Sequence, residues 1–144
     1  MKPDSVPVLV VDDNLGFLRV VQAILEKATP AFSVHTVESG TEALAFLERQ
    51  PPFADAPRPA FIVLDFHLPD MNAPSVLGRI GAKDDLREIP VLVLSQAAWE
   101  EDEAAARAAG ARQFKVKPSR VQALRDAVVS FWKEHAHGRI DPTD

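Results

Sequence analysis

The sequence predicts an α/β domain built on a doubly wound, five-stranded parallel sheet, and three observations carry that expectation. Five apolar runs alternate with five segments of helical periodicity, the order from which parallel sheets are wound. The strongest runs, Phe61 to Leu64 and Ile89 to Leu94, contain no polar residue, as strands buried on both faces require. The carboxyl ends of the runs present Asp12 and Asp13, then Asp65, then Ser95, then Lys117. In open α/β sheets ligands bind outside those ends, so these side chains are placed to meet a ligand.

Taken in order, Met1 to Ser5 is polar and expected to fray. Val6 to Val11 is the first strand, and it stops on Asp12, Asp13 and Asn14. Two adjacent acids after a buried strand repel each other and lose hydration, a cost that a bound cation offsets; the competing role is that Asp13 or Asn14 caps the next helix. Leu18, Val21, Leu25 and Ala28 repeat at helical spacing, widened by Phe17 and Ile24, until Thr29 and Pro30 end the stripe. Phe32 to Val37 mixes polar and apolar residues, as an edge strand does. Ser39 and Glu42 have the form of a capping box ahead of Ala43, Leu44 and Leu47, so a second helix runs to about Arg49. Pro51, Pro52, Pro57 and Pro59 mark Gln50 to Ala60 as an extended surface connection.

The third strand then ends on Asp65, and Pro74 suits the first turn of a third helix containing Val76, Leu77 and Ile80. Ile89 to Leu94 is the fourth strand, ending on Ser95. Trp99 to Ala109 is an Ala- and Glu-rich helix with acids in its first turns and Gly110 at its end. Gln113 to Val116 is a short fifth strand, and after Lys117 and Pro118, Ser119 is expected to cap a last helix with the stripe Val121, Leu124, Val128 and Phe131. The domain is therefore placed at 1–135, with a polar tail at 136–144 too short for a DNA-binding output module.

Composition narrows the function classes. With 144 residues, 47% of them apolar, the chain reads as one domain with a real core. The absence of Cys removes disulfides, thiolate zinc sites and thiol nucleophiles, and it fits a reducing compartment, so a cytoplasmic protein is expected. No stretch has the form of a signal peptide or approaches the ~20 apolar residues of a membrane span, so no membrane partner is expected. A net charge of −5 argues against a dominant nucleic-acid surface.

The strand-end residues together suit phosphoryl chemistry. Three carboxylates around a hard cation, with a lysine, neutralise phosphoryl oxygens; a hydroxyl donates to one; a carboxylate is left as the attacking oxygen. No P-loop or Gly-x-Gly-x-x-Gly fingerprint occurs, so a nucleotide is not the implied ligand. Taken singly, Ser95 reads as a helix cap, Lys117 as a surface lysine and Phe114 as core packing; only their joint arrangement points further.

From Val6 to about Trp132 the chain resembles the receiver domains of bacterial two-component response regulators. The likeness rests on Val10 to Asn14 (VVDDN), Leu64 to Met71 (LDFHLPDM), Leu94 with Ser95, Gly110 with Ala111, and Lys117 with Pro118. It implies a flavodoxin-like fold of strand order 2-1-3-4-5 and a stand-alone response regulator of the phosphorelay type. Asp65 would be the phosphoacceptor, taking its phosphoryl group from a histidine kinase or a phosphotransfer protein. Magnesium (Mg2+) would be held by Asp13 and Asp65 directly, by Asp12 through water and by the backbone carbonyl of His67. Ser95 would bind a phosphoryl oxygen, Lys117 would pair with the acyl phosphate, and Ser95 and Phe114 would form the switch. Output would pass to a protein partner or a homodimer through the fourth helix, fifth strand and fifth helix, including Trp99, or by onward phosphotransfer. Such a domain is not an enzyme beyond self-phosphorylation and self-dephosphorylation.

Three positions depart from the family pattern. Ala73 stands where Gly is usual, Gln96 where a small residue is usual, and His67 occupies a variable position facing the phosphoryl group; they bear on the lifetime of the phosphorylated form. His35, His135 and His137 are expected to be surface residues without a role. The competing enzyme reading is a magnesium-dependent aspartyl-phosphate hydrolase of the haloacid dehalogenase type. Against it, the first strand ends Asp12-Asp13 where that type carries Asp-x-Asp, and the chain has no room for a cap domain. A degenerate receiver acting only as a constitutive interaction module is opposed by the complete acid, Ser and Lys set.

Overall fold

The computed structural model describes residues 5–137, so the start expected to fray, apart from Ser5, and the tail from residue 138 lie outside the described residues. The elements are β1 (Val6–Val11), α1 (Leu15–Glu26), β2 (Phe32–Val37), α2 (Gly40–Leu47), β3 (Phe61–Asp65), α3 (Ala73–Gly81), β4 (Val91–Ser95), α4 (Glu100–Ala108), β5 (Gln113–Val116) and α5 (Val121–Phe131). The five strands form one parallel sheet in the order β2-β1-β3-β4-β5, as the doubly wound reading expects. After β1 the chain crosses to β2 on one side and returns to β3 on the other, so the order reverses between β1 and β3. A crevice opens at such a reversal, and Asp12 and Asp65 stand at its two walls.

Alternation along each strand splits the interior into two cores. Leu9, Val11, Ile62, Leu64 and Val93 face α2, α3 and α4, in the core that also holds Phe66 and Phe114. Val8, Val10, Phe61, Val63 and Leu92 face α1 and α5. There Phe61 meets Phe32 edge-on with ring centroids 5.8 Å apart, and Phe32 meets Trp132 at 6.1 Å.

The helix starts follow from side chains that take otherwise unpaired backbone N–H groups. Asn14 Oδ1 accepts from Phe17 N at 3.0 Å and starts α1. Ser39 Oγ accepts from Glu42 N at 3.1 Å, and Glu42 Oε1 reaches back to Glu38 N at 2.8 Å, which realises the expected capping box. Asn72 Oδ1 accepts from Ser75 N and starts α3, with Pro74 in its first turn.

Several boundaries differ from expectation. Helix α2 ends at Leu47, and Arg49 adopts the left-handed φ of 55°, which stops the helix short of it. The 50–60 connection is not extended: Phe53 packs on Phe46 at 5.5 Å, and Arg49 Nε donates to Ala56 O at 2.9 Å, folding the segment back on α2. β4 begins at Val91, because Pro90 has no N–H for the ladder, although its carbonyl accepts from Ile62 N at 3.0 Å. Ser119 does not cap α5; Arg120 holds that position without a side-chain bond, Val121 stays exposed and the buried stripe starts at Leu124. Beyond Phe131 a π-helical turn, Trp132–Ala136, continues the helix, and Ala136 is buried in the core, so the packed chain passes the boundary expected at 135.

Candidate functional site

The site forms where β1 and β3 end. Asp12 is 1% exposed and Asp65 8%, whereas Asp13, one residue on, turns to solvent. Asp12, Asp13 and Asp65 each offer a carboxylate oxygen, and these oxygens lie within 4.8 Å of one another. Lys117 enters from the end of β5, whose ladder is prolonged by Lys117 N donating to Ser95 O at 2.7 Å. Its Nζ lies 2.5 Å from Asp12 Oδ2 and 3.9 Å from Asp65 Oδ1. The ring of Phe17 on α1 lies under the ammonium, 4.0 Å from ring centre to Nζ, which steadies the cation by its π face. The other oxygen of Asp12 accepts from Asn14 N at 2.9 Å, so this carboxylate is fixed from both sides.

The electrostatics follow from that crowding. Burial first, and the neighbouring charge of Asp12 second, push the Asp65 carboxyl up from the ordinary 3.8 to about 6; Lys117 opposes them, Asp13 adds to the rise and His67 opposes it. Three carboxylates against a single nearby ammonium leave an excess of negative charge, and the donors are all hard oxygens. The set therefore fits an oxygen-liking divalent cation, whose charge would relieve the same repulsion.

The remaining residues singled out in the sequence sit around this centre. Ser95 is buried at the end of β4, where Leu94 pairs with Asp65 of β3. Phe114 is buried and meets Phe66, the residue after Asp65, edge-on with centroids 6.3 Å apart. His67 is at the rim: its ring lies against Phe66 at 4.7 Å, and its Nε2 is 3.8 Å from Asp102 Oδ2 on α4. Gln96 is exposed, and Ala73 is fully buried with its N–H donated to Phe66 O at 2.8 Å, so its methyl group is accommodated. Sequence reasoning missed Asp70, which ties the loop after β3 to α2 across about thirty residues and has no local signature. It also missed Phe17 under Lys117, which reads in sequence as part of the α1 stripe.

Residues 8–129 match the family model of the response regulator receiver domain, and the chain belongs to that family of signalling phosphoacceptor domains. It is 32% identical over 130 residues to the response regulator Rcp1 of Synechocystis sp., covering 88% of each chain. The structure of the phosphorylated cyanobacterial phytochrome response regulator RcpA superposes with a TM-score of 0.83 at 29% identity, covering 96% of this chain and 99% of that one. The Mn2+-bound form of Rcp1 superposes with a TM-score of 0.79 at 29% identity, covering 94% and 98%. The protein is thus a receiver domain of two-component signal transduction, whose family interacts with histidine kinases or phosphotransfer proteins, and nothing supports the dehalogenase-type hydrolase. The cluster of Asp12, Asp13 and Asp65 is the kind of acidic group that binds a divalent metal in receivers. Among the described residues no helix is long and apolar enough to cross a membrane.

Proposed function

We propose that Asp65 is the phosphoacceptor of this receiver and that Mg2+ is its metal. The observation that carries the reading is the convergence of Asp12, Asp13 and Asp65 on one spot with Lys117 beside two of them. An Asp65 carboxylate oxygen attacks the phosphorus of a phosphohistidine; the oxygen–phosphorus bond forms, the nitrogen–phosphorus bond breaks, and the departing imidazole keeps the electron pair. Asp13, Asp65 and the His67 carbonyl would hold magnesium, with Asp12 acting through water, and the metal supplies charge neutralisation at the phosphoryl oxygens. Lys117 moves from two carboxylates toward the acyl phosphate, and the Ser95 hydroxyl donates to a phosphoryl oxygen. Ser95 and Phe114 pass the change outward through Phe66, against which Phe114 already packs.

The output face we propose is formed by α4, β5 and α5. Trp99 is 61% exposed at the head of α4, and Val116 and Val121 are exposed at the end of β5 and the start of α5. Three apolar side chains on three adjoining elements suit a protein partner or a second copy of the chain. A cytoplasmic location is supported by the absence of Cys.

Incubation with acetyl phosphate and magnesium should add a single phosphoryl group, read by intact mass. Asp65→Asn keeps the shape and removes the anionic nucleophile, so it should take none. Full stoichiometric phosphate on the Asn variant would overturn the assignment.

A further inference from the structure

Helix α2 begins with four backbone N–H groups that need acceptors. Ser39 serves one of them, its Oγ accepting from Glu42 N at 3.1 Å, while Ala43 N makes the first regular bond of the helix, to the Ser39 carbonyl at 3.0 Å. Two more go to Asp70, in the loop between β3 and α3: Gly40 N donates to Oδ1 at 2.9 Å and Thr41 N to Oδ2 at 2.8 Å. The Thr41 hydroxyl adds a third bond to Oδ2 at 2.5 Å. This hydroxyl, foremost, and the two N–H groups hold the Asp70 carboxyl down to about 2, so it is charged at neutral pH. Asp70 thus joins Ser39 in capping α2, and the same three bonds fix the tip of its own loop on that helix.

The neighbouring residue docks on the same turn. A side chain at Gly40 would place its Cβ 2.5 Å from Met71 Cγ and 2.7 Å from Met71 Sδ, so Met71 packs against bare backbone there. The base of the loop is closed by Ala73 N donating to Phe66 O at 2.8 Å and by an antiparallel bridge between His67 and Asn72. The loop is thus clamped at its base beside Asp65, where His67 itself is bridged, and at its tip on α2 through Asp70.

We infer that Asp70, through Thr41 and Gly40, is a positioning residue for the phosphoacceptor site, setting where the His67 carbonyl stands relative to Asp13 and Asp65. This rests on the reading of that carbonyl as a metal ligand. Asp70 and Thr41 are exposed, so their loss leaves both cores intact and acts where the loop meets the start of α2.

The test is a magnesium titration by calorimetry, paired with acetyl phosphate labelling rates at each metal concentration. Asp70→Ala should raise the half-saturating magnesium concentration about tenfold while the labelling rate at saturating metal stays within about twofold of wild type. Thr41→Val should rise part of the way and Thr41→Ser, which keeps the hydroxyl, should match wild type. If Asp13→Ala abolishes the magnesium response but Asp70→Ala leaves half-saturation unchanged, the positioning role is overturned and the metal site stands. If Thr41→Ser shifts as much as Thr41→Val, the hydroxyl bond is irrelevant and the inference likewise falls. An unchanged titration in Asp13→Ala would instead remove the metal site on which it rests.

Discussion

Replacing Asp65 with Asn should make the metal-free protein more stable at neutral pH, although it removes the proposed phosphoacceptor. The folded state holds the Asp65 carboxyl at about 6 against an ordinary 3.8, because burial and Asp12 oppose its charge. Between those values the folded chain binds a proton that the unfolded chain has lost, so stability from this group falls as pH rises from about 4 to about 6 and stays low above that. The full difference corresponds to about 3 kcal/mol, and solvent at the open side of the site, where Asp13 is exposed, reduces it to about 1–2 kcal/mol. The Asn side chain keeps the shape and carries no charge, so the gain should be absent near pH 4, grow to pH 6 and then level off. Urea denaturation of both proteins across pH 4–8 in a chelating buffer measures it. Saturating magnesium should shrink or reverse the gap, because only the wild type retains all three carboxylates of the proposed metal site. Equal stabilities at pH 7.5 without metal, or a gain that is the same at every pH, would refute the electrostatic account.

Lys117→Ala should strip the buried Asp12 of its ammonium 2.5 Å away and lower metal-free stability by about 3 kcal/mol, while magnesium binds at least as tightly as before and restores most of the loss. An unaltered urea midpoint would show that this pair does not hold Asp12. Trp99→Ala removes an exposed ring, so stability should change by less than about 0.5 kcal/mol while association driven by a phosphate mimic such as beryllofluoride weakens. Unchanged association in analytical ultracentrifugation would move the output face elsewhere.

Four strands were legible to the residue, because β1, β2, β3 and β5 coincide with apolar or mixed runs bounded by polar or turn residues. The site was legible for a related reason: each strand-end residue sits where its own run stops, and the sheet order alone brings those stops together. Contacts between distant segments were not. Asp70 follows a proline and reads as loop, and its partners Gly40 and Thr41 lie thirty and twenty-nine residues earlier, where the capping box of Ser39 and Glu42 is the only local signal. The prolines of the 50–60 connection suggested an extended path, but burial of Phe53 on Phe46 outweighs that local stiffness. The expected end at 135 followed the polar composition after Trp132, and it overlooked Ala136, one helical turn beyond Trp132 and buried beside it.

The sheet acts as a firewall as well as a scaffold. Phe66 and Phe114 lie on the α2, α3 and α4 side, whereas the Phe32, Phe61, Phe131 and Trp132 cluster lies on the α1 and α5 side, with a fully laddered backbone between them. A misfit side chain among Val8, Val10, Phe61, Val63 and Leu92 has no free space through which to spread into the opposite layer, since neighbouring strand residues point away from it. The two cores can therefore vary independently on opposite faces of the same five ribbons. A lineage can drift in one while selection holds the other fixed, and an engineer can repack the Phe32, Phe61 and Phe131 cluster without disturbing the contact of Phe66 with Phe114.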